Sequence, residues 1–218
     1  MNANKHLIVS GVLFAIVLFL WPIFMAIAQP AVTGTEQQLY WVMRNLAMYR
    51  CQFILAFLIA PLVLYMMSAQ LDRAGTGGGT AGLTGRLFLA GYLVLNSISY
   101  ASQIVLVPGF MRAGMVHQAG LFYFGSEESV VYFLNQMGYA FWAVGAIILF
   151  VPLVRHSGMI RYISGLYLIS ALLSIAAFAG LMADSKVLNS LTLYSGLILA
   201  PVGILTAIWG IREQLHKE

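Results

Sequence analysis

The side chains in this sequence best equipped to recognise a small molecule are mostly uncharged, and they recur at helical spacing. Tyr92, Asn96, Ser99 and Gln103 follow one another at steps of four, three and four, which places them on one face of a helix. Tyr132, Asn135, Tyr139 and Trp142 repeat at three, four and three, with Gln136 beside them. Tyr167, Ser170 and Ser174 share a face in the same way, as do Asn189, Thr192 and Ser195. Gln52 stands beside Arg50, with Arg44 a little earlier. Amides, hydroxyls and phenols exchange hydrogen bonds without titrating near neutral pH. Their chemistry is therefore the binding of a solute or the joining of helices, while Arg44 and Arg50 would attract an anionic group. The candidate ligand-binding set is Arg44, Arg50, Gln52, Asn96, Ser99, Gln103, Asn135, Gln136, Tyr139 and Asn189.

Other chemistry is missing from the apolar stretches that hold these residues. His6, His117, His156 and His216 all fall outside them, and no His-x-x-His box appears, so neither a haem clamp nor a di-iron site is expected. No carboxylate lies within them, which argues against proton coupling through a buried Asp or Glu. Ser195 has no histidine at its depth to act as a base. Cys51 is the only cysteine, which excludes a Cys-x-x-Cys redox pair; a small apolar filler is its expected role. Gly77, Gly79 and Gly82 satisfy G-x-G-x-x-G formally. That motif needs a preceding strand to form a dinucleotide site, so the 72–86 loop reads as a flexible tether. No cofactor and no metal are expected.

The elements that must position these groups follow from composition. Of 218 residues, 61% are apolar and 8% charged, against about 25% charged in soluble domains. So few charges exclude a soluble enzyme and a nucleic-acid-binding module; the partner is the lipid bilayer. Residues 7–28, 51–71, 87–107, 130–154, 162–182 and 187–210 hold no Asp, Glu, Lys or Arg. Each is long enough to cross a hydrocarbon core of about 30 Å as a helix. The absence of two-residue alternation excludes a membrane β-barrel. The fold class is thus an all-α bundle of six transmembrane helices forming one domain over residues 1–218.

Lys5, Arg73, Arg86, Arg155, Arg161, Arg212 and Lys217 fall on one side, against Arg44, Arg50, Arg112 and Lys186 on the other. The excess places both chain ends in the cytoplasm, in a cell membrane of the bacterial cytoplasmic type. Ala26-Ile27-Ala28 before Gln29 resembles a signal-peptide cleavage site. The apolar run nevertheless continues from Leu7 to Ala28 with Trp21-Pro22 as an interfacial anchor, so a retained first span is expected.

With the ends inside, Gln52, Gln103, Asn135, Gln136 and Asn189 lie in the outer halves of their spans and Asn96 near the middle. The inner halves are nearly all aliphatic. Thr35 and Gln38 fit a capping box, which predicts one long helix from about residue 36 into span two. Residues 108–129 are too apolar for a free loop and should lie on the membrane or cap the bundle. Ser126 would cap span four, with Glu127 and Glu128 in its first turn or paired with Arg44, Arg50 or Arg112. Pro61 and Pro201, each after an alanine, could kink spans two and six.

The run from Leu153 to Leu166, with Ile160-Arg161-Tyr162-Ile163-Ser164 at its centre, resembles the turn between spans four and five of a bacterial family of six-span integral membrane proteins. Ser10-Gly11-Val12-Leu13-Phe14 and Leu199-Ala200-Pro201 are similar to that family as well. The resemblance implies a six-span architecture and no particular activity. The residues themselves predict binding or transport of a small amphiphilic or anionic solute through an outward-facing polar cavity. The alternatives are a structural subunit of a larger membrane complex or homo-oligomer, and a membrane enzyme acting at the outer surface around His117, Glu127 and Glu128.

Overall fold

The computed structural model describes residues 3–215; His216 and Lys217 lie outside the described residues. Among the described residues there are ten α-helices: α1 (Ala3–Ile27), α2 (Thr35–Arg44), α3 (Leu46–Ala74), α4 (Gly79–Ile104), α5 (Leu106–Arg112), α6 (Val116–Leu121), α7 (Val130–Phe150), α8 (Met159–Met182), α9 (Lys186–Asn189) and α10 (Leu191–Leu215). Six segments, built on α1, α3, α4, α7, α8 and α10, are long and apolar enough to cross a membrane. The chain is an all-α multi-pass membrane protein. Inner and outer below refer to the orientation predicted by the loop charges.

The six long helices form a closed ring in chain order: each packs on the next, and α10 returns to α1. Short connections favour such up-and-down order. Lipid tails are as apolar as leucine, so close backbone approach rather than hydrophobic burial must hold helices together. The α1–α10 seam shows this directly. A Cβ on Gly11 would lie 2.6 Å from the Gly203 carbonyl oxygen and 2.7 Å from the Ala207 nitrogen. The α8–α10 seam is instead polar: Ser195 Oγ lies 2.6 Å from Ser174 Oγ and 3.0 Å from Ser170 Oγ.

The middle of the ring is filled, not open. Phe14 from α1, Met66 from α3, Trp142 and Phe150 from α7 and Tyr167 from α8 are fully buried in one cluster. The opposite faces of the helices expose Phe19, Leu87, Val94, Ile98 and Leu172, the apolar belt a lipid-facing surface requires.

Several local expectations change. The capping box does not form: Gly34 (φ 88°) caps α2 without a side-chain bond, and Gln38 Nε2 donates to the Val32 carbonyl at 3.1 Å. The long helix into span two is broken at Asn45, whose side-chain amide donates to the Trp41 carbonyl at 3.0 Å. Such local bonds compete with the helical ladder. The 72–86 tether shrinks to a tight turn, because α3 runs to Ala74 and α4 begins at Gly79. Gly75, at φ 67°, ends α3, and a Cβ on Gly82 would lie 2.0 Å from the Gly77 carbonyl oxygen. Ser129, not Ser126, caps α7 by accepting the Tyr132 N–H at 3.2 Å. Glu127 and Glu128 therefore precede the helix, and no ion pair joins them to an arginine among the described residues. Cys51 is exposed on the ring rather than filling it. His6 falls within α1, where Nδ1 lies 2.7 Å from the Tyr65 hydroxyl.

Residues 108–129 cap the bundle. Val107, Met111, Ala119 and Tyr123 bury themselves against Leu39, Val42, Tyr49 and Phe53. Burial pushes the Tyr123 phenol up to about 12, since an ionised ring there would lose its hydration.

Candidate functional site

The glycine seam between α1 and α10 gives way, towards the outer end, to bulkier residues, and the lumen of the ring contains a cavity of about 340 Å³ there. Trp21 and Met25 come from α1, Tyr100 from α4, and Phe124 from the capping segment. Tyr132, Asn135, Gln136 and Tyr139 come from α7, Asn189 from α9, and Thr192, Leu193 and Tyr194 from α10. No Asp, Glu, Lys or Arg lines it. A neutral wall of aromatic rings with a few convergent amides is the usual make-up of a small-molecule site.

The amides are held in place by one another. Gln136 Nε2 donates to Asn189 Oδ1 at 2.9 Å and to the Tyr132 hydroxyl at 3.1 Å. Thr192 Oγ1 donates to Gln136 Oε1 at 2.7 Å. Asn135 Nδ2 donates to Asn96 Oδ1 at 2.6 Å, and Asn96 Nδ2 in turn to the Tyr92 carbonyl at 3.2 Å. These bonds tie α4, α7, α9 and α10 together around the cavity. A buried network of this kind fixes side-chain direction when every member is paired.

Asn135, Gln136, Tyr139 and Asn189 thus share one cavity, and the other six candidates do not line it. Asn96 stands behind Asn135. Ser99 Oγ bonds the Leu95 and Val131 carbonyls at 2.9 and 3.0 Å, joining α4 to α7. Gln103 is a structural hub. Its Oε1 accepts the Tyr49 hydroxyl at 2.7 Å and the Phe124 N–H at 3.0 Å, and its Nε2 donates to the Phe122 carbonyl at 2.7 Å. Arg50 Nε donates to the Ile104 carbonyl at 3.2 Å, one of those left without a helical partner where α4 ends. Arg44 is exposed on α2. Gln52 lies in a separate pocket of about 230 Å³ with Tyr49, Phe53 and Tyr123.

The larger outer pocket, about 530 Å³, sits between α2 and α6 and includes Glu36, His117 and Glu128. It holds none of the ten candidates. No three His, Cys, Asp or Glu among the described residues gather as metal ligands.

Tyr100, Trp21, Met25, Phe124 and Tyr194 also line the cavity and lie outside the candidate set. Tyr100 follows Asn96 by four residues, a spacing that could have found it. Trp21 reads equally as a lipid anchor, and nothing local distinguishes Phe124 or Tyr194. The inner halves also prove less aliphatic than expected: Gln70, Ser164, Tyr167 and Thr206 are all fully buried. Comparison with family models, with curated proteins and with solved structures found no match to this chain.

Proposed function

We propose that this protein, lying in a bacterial cytoplasmic membrane with both ends inside, binds a small neutral amphiphile in its outward-facing cavity. The observation that carries this reading is an uncharged cavity in the lumen where aromatic walls meet the Gln136–Asn189–Thr192 network. Apolar walls would take the body of the molecule, and the amides its hydroxyl or carbonyl group. An anionic ligand is less suited, because Arg44 and Arg50 lie away from the cavity and Arg50 already serves a backbone carbonyl. The cavity stops above the filled middle of the ring, so binding is the simpler activity and transport would require a rearrangement.

The test is native mass spectrometry after gentle extraction, followed by lipid analysis of what the protein releases. The expected result is a neutral amphiphile retained by the wild type and lost from Gln136→Leu and Asn189→Leu. Equal retention by both variants would refute the reading. A structural subunit is the second reading, favoured by the extent to which Gln103 and the Ser170–Ser174–Ser195 group pair within the chain. It predicts a bound membrane-protein partner and no retained amphiphile in the same spectrum.

A further inference from the structure

We propose that Gln70, Trp142, Tyr167 and Thr206 form a second site, in the inner half of the lumen, whose ligand is ordered water. All four are buried to within 1% of complete. They come from α3, α7, α8 and α10, so the site lies inside the ring and not between two neighbours. Gln70 Nε2 donates to Thr206 Oγ1 at 2.6 Å, and Thr206 Oγ1 donates to the Val202 carbonyl at 2.7 Å.

Three buried polar atoms then have no hydrogen-bond partner in the protein: Gln70 Oε1, the Tyr167 hydroxyl and the Trp142 indole nitrogen. The Tyr167 and Gln70 side chains are neighbours, and neither the Tyr167 hydroxyl nor Gln70 Oε1 makes a hydrogen bond of good geometry within the protein. Polar atoms that face each other beyond hydrogen-bond range are the usual setting for a bridging molecule. The Trp142 ring packs against Tyr167, with centroids 5.6 Å apart.

The chemistry of the three atoms selects the ligand. One accepts, one donates, and the hydroxyl does both, whereas a buried water typically makes two to four such bonds. No carboxylate or cation among the four would favour an ion. The neighbouring Ser170–Ser174–Ser195 group, equally buried, pairs its hydroxyls among themselves. Arg73 Nε and Thr76 Oγ1, near the inner end of α3, are also buried without a partner, but they belong to the helix end and the turn after it. In the body of the ring the unpaired atoms of Gln70, Trp142 and Tyr167 stand beside a serine group that pairs completely. Native proteins leave few such atoms without water or another partner.

On α3, Gln70 precedes Arg73 by three residues, and Arg73 pairs with Glu213 of α10 at the inner end. On the other side, Trp142 contacts Tyr92, and Tyr92 contacts Tyr139 in the wall of the outer cavity, with centroids 5.6 and 5.8 Å apart. The hydrated layer and the outer cavity are thus separated by one layer of aromatic rings. This inference goes beyond the amphiphile reading and does not depend on it.

The test is pulsed X-ray hydroxyl-radical footprinting of the full chain in phosphatidylcholine nanodiscs, read residue by residue by mass spectrometry. Radicals generated from a bound water label the side chains beside it even where bulk water is excluded. Tyr49 is the internal control, because it is buried with its hydroxyl already bonded to Gln103. The expected result is oxygen uptake at Trp142 and Tyr167 several-fold above Tyr49. Gln70→Leu and Tyr167→Phe should each lower uptake at Trp142 several-fold while leaving Trp21, in the outer cavity, unchanged. Uptake at Trp142 and Tyr167 no higher than at Tyr49 in the wild type would overturn the proposal, whether or not the variants fold. Unchanged uptake at Trp142 in both folded variants would overturn it as well.

Discussion

Replacing Gln103 with leucine is the sharpest probe of how the outer end is built. The two side chains are close in size, so the change removes hydrogen bonds with little change in volume. Lost are the bonds from the Tyr49 hydroxyl on α3 and from the Phe124 N–H, and those to the Phe122 carbonyl, the Ser99 carbonyl and Ser102 Oγ. A typical interhelical hydrogen bond in a membrane bundle contributes only about 0.6 kcal/mol. A buried donor left unpaired costs about 1–3 kcal/mol, and two donors, the Tyr49 hydroxyl and the Phe124 N–H, are stranded here. Rearrangement of the capping segment towards interfacial water would recover part of that. A net loss of about 2–3 kcal/mol follows, several times the value of a single bond. The assay is reversible unfolding by SDS in mixed micelles, with Tyr49→Phe and the double variant completing a thermodynamic cycle. A coupling near 1 kcal/mol between Tyr49 and Gln103 is expected for such a contacting pair. A loss of no more than about 0.6 kcal/mol for Gln103→Leu, the value of one isolated bond, would refute the description of Gln103 as a hub.

Three further outcomes can be checked with the same preparations. Gly11→Ala should destabilise the protein by about 1–3 kcal/mol, because its Cβ meets the α10 backbone; Gly165→Ala, with open space around its Cβ, should not, and equal unfolding midpoints for the two would refute the seam. Tyr123 is neutral when folded and its phenol is raised by burial from 10 to about 12, so its contribution is present below pH 10 and lost as pH rises towards 12. Integrated, that amounts to about 2–3 kcal/mol, and alkaline unfolding curves of Tyr123→Phe should lack this component. Glu213→Gln should cost no more than about 1 kcal/mol, since the pair with Arg73 is partly exposed; a much larger loss in SDS unfolding would mean that the pair is better shielded than its exposure indicates.

The sequence by itself determined the six spans, because the absence of charge over more than 20 residues leaves lipid as the only suitable solvent. It also determined the polar faces of α4 and α7, since helical periodicity is a property of the chain alone. Asn96, Ser99 and Gln103 are buried as that periodicity requires. It could not divide those residues between joining helices and lining a cavity. Gln103 and Asn135 are both amides on polar stripes, yet one meets a capping segment while the other faces the lumen. That difference depends on what α3, α10 and residues 122–124 bring to each height of the ring. Local bonding by Gln38 to Val32 and by Ser129 to Tyr132 likewise overrode the capping pattern around residues 35 and 126, and bonding by Asn45 to Trp41 broke the helix expected to run on into span two. Only the closed ring, formed when α10 meets α1 at Gly11 and Gly203, decided that the outer cavity is neutral and is lined by α1, α4, α7 and α10. The arginines expected at its rim were drawn off, Arg50 by an unpaired backbone carbonyl at the end of α4 and Arg44 to the exposed face of α2.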